Sequence, residues 1–208
     1  MKYPDQLVKL LPNLSLYIPK QEQVKIHFEA LYAKDPTEAF PYWAKIWPSA
    51  IALTKYLQAN PSWINNKKVL EMGAGIGLPS FSIAEKVNQL TITDHNADAV
   101  ASMKKNITYL GLSNAIALEL DWNHFPDHLQ ANTILLSDIN YAPEQFDPLF
   151  NLIQLLINKG SSILIATPHR IMGNEFIHRL QELIKHEEIL QIASREVEQP
   201  ISIFVLYR

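Results

Sequence analysis

From residue 67 onward, short apolar runs that fit buried strands alternate with longer stretches whose apolar residues recur every three or four positions, as in helices packed on a sheet. Lys67 to Pro79 reads as a buried strand through Val69 and Leu70, a glycine turn at Gly73, Gly75 and Gly77, and a helix start. Pro79 suits a first helical turn, where its missing N–H costs nothing. A helix from Pro79 to about Val87 precedes a strand, Gln89 to Thr93, that ends at Asp94. Asn96 can cap the next helix, with Val100, Met103, Ile107 and Leu110 at helical spacing and Gly111 as its stop. Ala115 to Leu120 is a third strand ending at Asp121 and Trp122, and Thr133 to Ser137 is a fourth ending at Asp138. Asp147 and Pro148 open a helix burying Leu149, Leu152, Ile153 and Leu156, stopped by Gly160. Ser162 to Ala166 is a fifth strand, and Asn174 caps a helix carrying Ile177, Leu180 and Ile184. Glu188 to Ala193 and Ile201 to Tyr207 are joined by a link too short for a parallel crossover, which predicts an antiparallel hairpin. The alternation predicts an α/β fold: a Rossmann-like, doubly wound, seven-stranded and mostly parallel sheet with an antiparallel last strand.

Upstream the pattern fades. Residues 1 to about 40 carry Pro4, Pro12, Pro19 and Pro36 without a clean period. They read as an irregular N-terminal extension with a short strand or helix near Val24 to Tyr32. The run from Phe40 to Ser49 packs aromatics between Pro41 and Pro48. Because proline confines the residue before it to extended backbone, this run predicts a rigid connection. Ser49 is then a candidate cap for a helix with Leu53, Tyr56 and Leu57 on one face, ending before Pro61. The chain divides into an N-terminal extension, 1–40, and one domain, 41–208.

Composition narrows the partners. With Lys plus Arg at 18 against Asp plus Glu at 21, the net charge is −3. No broad basic face for nucleic acid is expected. Cysteine is absent, which removes disulfides and thiolate metal sites. The first residues lack a secretory pattern, and no apolar run reaches the length of a membrane span. A cytoplasmic monomer without membrane attachment is the expectation. His95, His124, His128 and His169 lack the spacing of metal ligands, so no metal is expected. Lys104 and Lys105 read as a solvated helix face.

Four features fall at predicted strand ends, where open α/β sheets bind ligands: Glu71 with the glycines, Asp94, Asp121 with Trp122, and Ser137 with Asp138. A helix starting directly after a strand offers unpaired N–H groups to an anionic group over the turn. A dinucleotide fingerprint would place a third glycine where Leu78 stands. Asp94, about 20 residues beyond the turn, could accept hydrogen bonds from both hydroxyls of a ribose. Trp122 could cover an adenine face. Each feature also has a plainer reading, as a turn, a helix cap, a core tryptophan or a loop aspartate.

Taken together, Glu71 to Gly77, Asp94, Asp121-Trp122 and Asp138-x-x-Tyr141, with Pro41-Tyr42-Trp43 and Trp47-Pro48 upstream, resemble the methyltransferase-like branch of class I, seven-strand S-adenosylmethionine-dependent methyltransferases. That branch includes many protein-lysine methyltransferases. The resemblance covers roughly residues 40 to 208 and implies S-adenosylmethionine as cofactor. It implies contacts to it from Trp47, Gly73, Ala74, Gly75, Asp94, Trp122 and Ser137, with Glu71 and Asp121 in the same set. Asp138 and Tyr141 become the catalytic pair, Asp138 orienting the incoming amine and Tyr141 shaping the pocket wall. An amine near pKa 10.4 must shed a proton before attack, and a nearby carboxylate favours its charged form, so Asp138 suits an orienter better than a strong base. The acceptor is a lysine of a protein, with a small-molecule amine or a non-catalytic cofactor-binding module as alternatives.

Overall fold

The computed structural model describes residues 3–140, 142–169, 171–194 and 197–208. Its centre is a seven-stranded sheet of β3 (Lys68–Met72), β4 (Gln89–Asp94), β5 (Ala115–Glu119), β6 (Thr133–Ser137), β7 (Ser162–Pro168), β8 (Ile184–Ser194) and β9 (Val197–Leu206). Two further strands, β1 (Asp5–Leu11) and β2 (Leu14–Pro19), form a separate hairpin. The spatial order is β5-β4-β3-β6-β7-β9-β8. β3 to β7 pair in parallel, whereas β9 runs antiparallel to both β7 and β8. Strand order reverses between β3 and β6, which creates a crevice at their carboxyl ends.

Consecutive residues of the central strands face opposite cores, because side chains alternate across a sheet. Val69, Leu135, Leu164 and Val205 join one cluster, while Leu70, Ile134, Leu136, Ile163, Ile165 and Leu206 join the other. The first cluster is closed by α2 (Pro48–Ala59), α3 (Leu78–Ile83) and α4 (Ala97–Leu110), and the second by α5 (Phe146–Asn158) and α6 (Ile171–Arg179). α4 starts and stops as its residues dictate. Asn96 Oδ1 accepts from the N–H groups of Asp98 and Ala99, and Gly111 takes φ 63° beyond the last turn.

Several boundaries differ from the expectation. Ser49 does not cap α2; Trp47 is the N-cap and Pro48 the first residue, leaving Ser49 buried inside the first turn. α3 ends at Ile83 and passes into a short 3-10 turn, Ala84–Lys86, rather than continuing to Val87. Asn174 lies within α6, and Ile184 opens β8 instead of closing a helix.

The lead segment is ordered: the β1–β2 hairpin is followed by α1 (Gln21–Tyr32). Leu14, Leu16 and Ile18 alternate inward and share the core of α2 to α4. Asn106 on α4 accepts from Tyr17 N at 2.7 Å and donates to Tyr17 O at 2.9 Å. It thereby extends a strand's hydrogen-bond pattern with a side chain. Lys105 is not simply solvated; its Nζ lies 2.6 Å from Asp5 and 4.0 Å from the Tyr17 ring centroid.

Candidate active-site cleft

A cleft of about 850 Å³ opens over the β3 and β6 tips, lined from the glycine turn, the end of β4, the 37–47 connection and the segment after β6. The glycines are there because the chain passes too close to its neighbours for a side chain. A Cβ on Gly75 would lie 3.0 Å from Trp43 O, and one on Gly73 would lie 3.2 Å from Ile139 Cγ2 and 3.5 Å from Trp122 Cζ3. Both residues have positive φ, 56° and 63°, a backbone that costs an L-residue about 1–2 kcal/mol.

The turn's N–H groups are spent internally. Ala74 N donates to Thr93 O, Gly77 N to Ala74 O, and Gly75 N to Asp94 Oδ2 at 2.8 Å. The expectation of unpaired N–H groups facing an anion is therefore not met at these three residues. What the turn offers a ligand is close backbone approach without a Cβ. Asp94 Oδ1 accepts from Asn96 N at 2.9 Å. Each Asp94 oxygen retains a further lone pair, and the side chain, though nearly buried, lines the cleft.

Trp47, Gly73, Ala74, Gly75, Asp94, Trp122, Ser137 and Asp138 all line this one space. Trp122 Nε1 donates to Gln145 Oε1 at 3.0 Å, and Trp47 Nε1 donates to Tyr42 O at 3.0 Å, so both indoles have their polar edge anchored. Asp138 follows the last residue of β6 at φ 55°. Aspartate is among the few non-glycine residues that tolerate this region, and such strain collects at functional sites. Its N–H donates to Ala166 O at 2.8 Å. Two residues on, Asn140 accepts from Thr167 Oγ1 at 2.7 Å and donates to Gly173 O at 3.3 Å, which fixes the loop to β7 and α6. Tyr141 lies outside the described residues.

Two expected contact residues are elsewhere. Glu71 is fully buried beneath the turn, where its Oε2 accepts from Ser80 N at 3.0 Å. It braces the start of α3 rather than lining the cleft. Burial, with hydrogen bonding from Ser80 opposing in part, pushes its carboxyl up to about 7. Asp121 is also absent from the lining. Its carboxylate accepts from Asn123 N at 2.9 Å and Asn123 Nδ2 at 2.8 Å and meets His124 Nδ1 at 3.0 Å. These bonds, those from Asn123 foremost, hold it below the usual carboxylate range.

Tyr3, Glu38, Lys45 and Asp98 line the cleft as well but carry no motif. Asp98, in the first turn of α4, lies only four residues beyond Asp94; Tyr3 and Glu38 reach the site only through tertiary packing. Burial, then the charges of Asp98 and Glu38, raises the Tyr3 phenol above its ordinary value. Among the described residues, the lining carries four carboxylates, Glu38, Asp94, Asp98 and Asp138, against one lysine, Lys45.

Residues 30–183 match a protein-family model described as lysine methyltransferase. The chain is 30% identical over 135 residues to calmodulin-lysine N-methyltransferase of Arabidopsis thaliana, covering 60% of this chain and 44% of that protein. It is also 30% identical over 152 residues to the electron transfer flavoprotein beta subunit lysine methyltransferase of Mus musculus, covering 70% of this chain and 58% of that protein. It thus spans about half the length of these two relatives. The N-methyltransferase NodS of Bradyrhizobium japonicum, solved with S-adenosyl-L-homocysteine, superposes with a TM-score of 0.63 at 13% identity, over 87% of this chain and 98% of that one. That likeness is one of fold.

Proposed function

The chain belongs to the lysine methyltransferase family, and from that premise we propose that it methylates a lysine side chain of a protein using S-adenosylmethionine. The observation that carries the reading is that one cleft joins the Cβ-free turn at Gly73 and Gly75, the carboxylate of Asp94 and the strained Asp138. Its volume suits a nucleoside-sized ligand together with the end of a lysine side chain.

Charge favours the same occupants. An adenosylmethionine carries a sulfonium and an ammonium against one carboxylate, and a lysine brings another positive charge. Among the described lining residues, four carboxylates stand with one lysine, a balance that favours cations over a dinucleotide pyrophosphate. S-adenosylmethionine supplies an activated methyl group, which passes to the amine nitrogen's lone pair as the carbon–sulfur bond breaks and a neutral thioether leaves.

The chain's own residues then align and enclose. In this reading Asp94 takes the ribose hydroxyls with its remaining lone pairs, and Trp122 and Trp47 wall the cleft and exclude water. Asp138 accepts a hydrogen bond from the incoming amine and aims it, while the Asn140 bonds to Thr167 and Gly173 hold Asp138's loop in place. The lysine proton leaves to solvent before attack.

The test is mass spectrometry of proteins from wild-type cells and cells lacking this chain. A lysine methyl mark lost in the deleted cells and restored by wild type, but not by Asp138→Ala, is expected. Label found only in small molecules would refute the protein acceptor.

A further inference from the structure

A second hollow, of about 340 Å³, is lined by the end of β7, by β9 and β8, and by α6. Strand pairing sets it beside the first. Ser137 on β6 pairs with Ala166 on β7, so Asp138 and Thr167 follow on neighbouring tips about 4.8 Å apart. Asp138 lines the first space and Thr167 the second, and Asn140, two residues after Asp138, is bonded to Thr167 and Gly173 of the second.

The floor of the hollow is apolar, from Ile177, Ile184 and Phe204, and one wall is a hydrogen-bonded chain. Ser202 Oγ donates to Glu187 Oε1 at 2.9 Å and lies 2.7 Å from His169 Nε2. A hydroxyl has one proton to give. With Glu187 ionised, Ser202 gives it to the carboxylate and must accept from His169. Nε2 therefore carries a proton, and in the neutral ring Nδ1 is left as an acceptor. Ser202 is buried within β9, so the relay is set by the sheet and not by a mobile surface group. The described lining contributes one carboxylate, Glu187, and two imidazoles, His169 and His178, and no lysine or arginine.

We propose that the second hollow is a substrate subsite that takes a basic side chain, lysine or arginine, lying a few residues from the methylated lysine in a polypeptide acceptor. The proposal rests on the lysine-methylation reading for the direction of the chain, though not for the chemistry of the hollow. An extended peptide advances about 3.3 Å per residue. A chain that sends one lysine past Asp138 thus comes level with Glu187, on β8 about 14 Å across three strand spacings from β6, with a residue about four to five places away. There the Glu187 carboxylate supplies the counter-charge and His169 Nδ1 a hydrogen-bond acceptor, while Ile177 and Phe204 meet the aliphatic stem.

The experiment follows the His169 imidazole by ¹⁵N NMR in the full chain, with the resonance assigned from His169→Gln. N-acetyl-argininamide and N-acetyl-lysinamide are titrated in, with N-acetyl-norleucinamide as the neutral control. The expected result is a ring protonated on Nε2, with saturable shifts from the basic amides only, weakened at least about tenfold in Glu187→Gln, as loss of a charged hydrogen-bond partner implies. No shift, an equal shift from norleucinamide, or unchanged affinity in Glu187→Gln would overturn the proposal. Ser202→Ala should release the tautomer. Glu187 is exposed, so the Glu187→Gln arm does not depend on repacking a strand.

The readout needs no methyl transfer. Basic amides binding at His169, with no lysine peptide methylated, would retire the methylation reading and keep the subsite. Lysine peptides methylated without preference for a basic neighbour, and without a His169 shift, would retire the subsite and keep the reading.

Discussion

Replacing Glu71 with glutamine should make the protein more stable at pH 8 while changing little at pH 4.5. The carboxyl is fully buried, its Oε1 has no hydrogen-bond partner among the described residues, and burial moves it from 4.5 to about 7. Between those two values the native state holds a proton that the unfolded chain has released. The unfolded state therefore binds fewer protons, and stability falls as pH rises. The contribution is fully present below pH 4.5 and is lost as pH passes through about 7. At ~1.36 kcal/mol per pH unit, the loss is roughly 3 kcal/mol. Glutamine keeps an oxygen for Ser80 N and has no charge to bury. Urea unfolding of both proteins from pH 4.5 to 8 checks this: the difference in stability, variant minus wild type, should grow by roughly that amount across the window. A difference that stays flat with pH would refute the claim that Glu71 is buried and uncompensated beneath the turn.

Other changes probe other parts. Gly75→Ala puts a Cβ 3.0 Å from Trp43 O at φ 56°, so it should cost about 1–2 kcal/mol in urea unfolding. It should also weaken S-adenosylhomocysteine binding in calorimetry. Asn106→Ala strands the Tyr17 backbone N–H and C=O that it now bonds. It should cost about 1–3 kcal/mol and speed hydrogen exchange in residues 5–19 ahead of the sheet. Asp138→Asn keeps the shape of the residue and removes its charge, so it should lower kcat at least about tenfold with cofactor affinity largely intact. Equal losses in both would mean that Asp138 serves the cofactor and not the amine.

Much of this architecture is written locally in the chain. Asn96, Gly111 and Gly160 punctuate helices through contacts within a few residues of themselves, and the strands β6 and β7 announce themselves through the apolar runs Ile134–Leu136 and Ile163–Ala166. The N-terminal hairpin does not. Leu14, Leu16 and Ile18 alternate, but prolines flank them, and the bonds that tie the strand to α4 come from Asn106, 89 residues away in sequence from Tyr17. The end of α6 misleads for a related reason. Ile184 keeps helical spacing from Leu180, yet pairing with Leu206 on β9 draws it into β8.

At the site, the residues named by motif divide according to what their polar atoms do. Trp47, Asp94, Trp122 and Asp138 reach the cleft, whereas Glu71 and Asp121 satisfy backbone and neighbouring groups beneath or beside it. A motif fixes where a carboxylate stands in the chain, but not whether a nearby N–H claims it first. Tyr3 and Glu38 enter the lining through the hairpin, α1 and the connection that follows, a route that no local pattern reveals.

The central claim is that an adenosyl sulfonium lies across the strand tips with its sulfur toward Asp138. A crystal structure with S-adenosylhomocysteine tests it most directly. The account predicts the ribose at Asp94, the adenine against Trp122, the chain passing over Gly73 and Gly75, and the sulfur facing Asp138. Density for the ligand outside this cleft, or a ligand whose sulfur points away from Asp138, would contradict it.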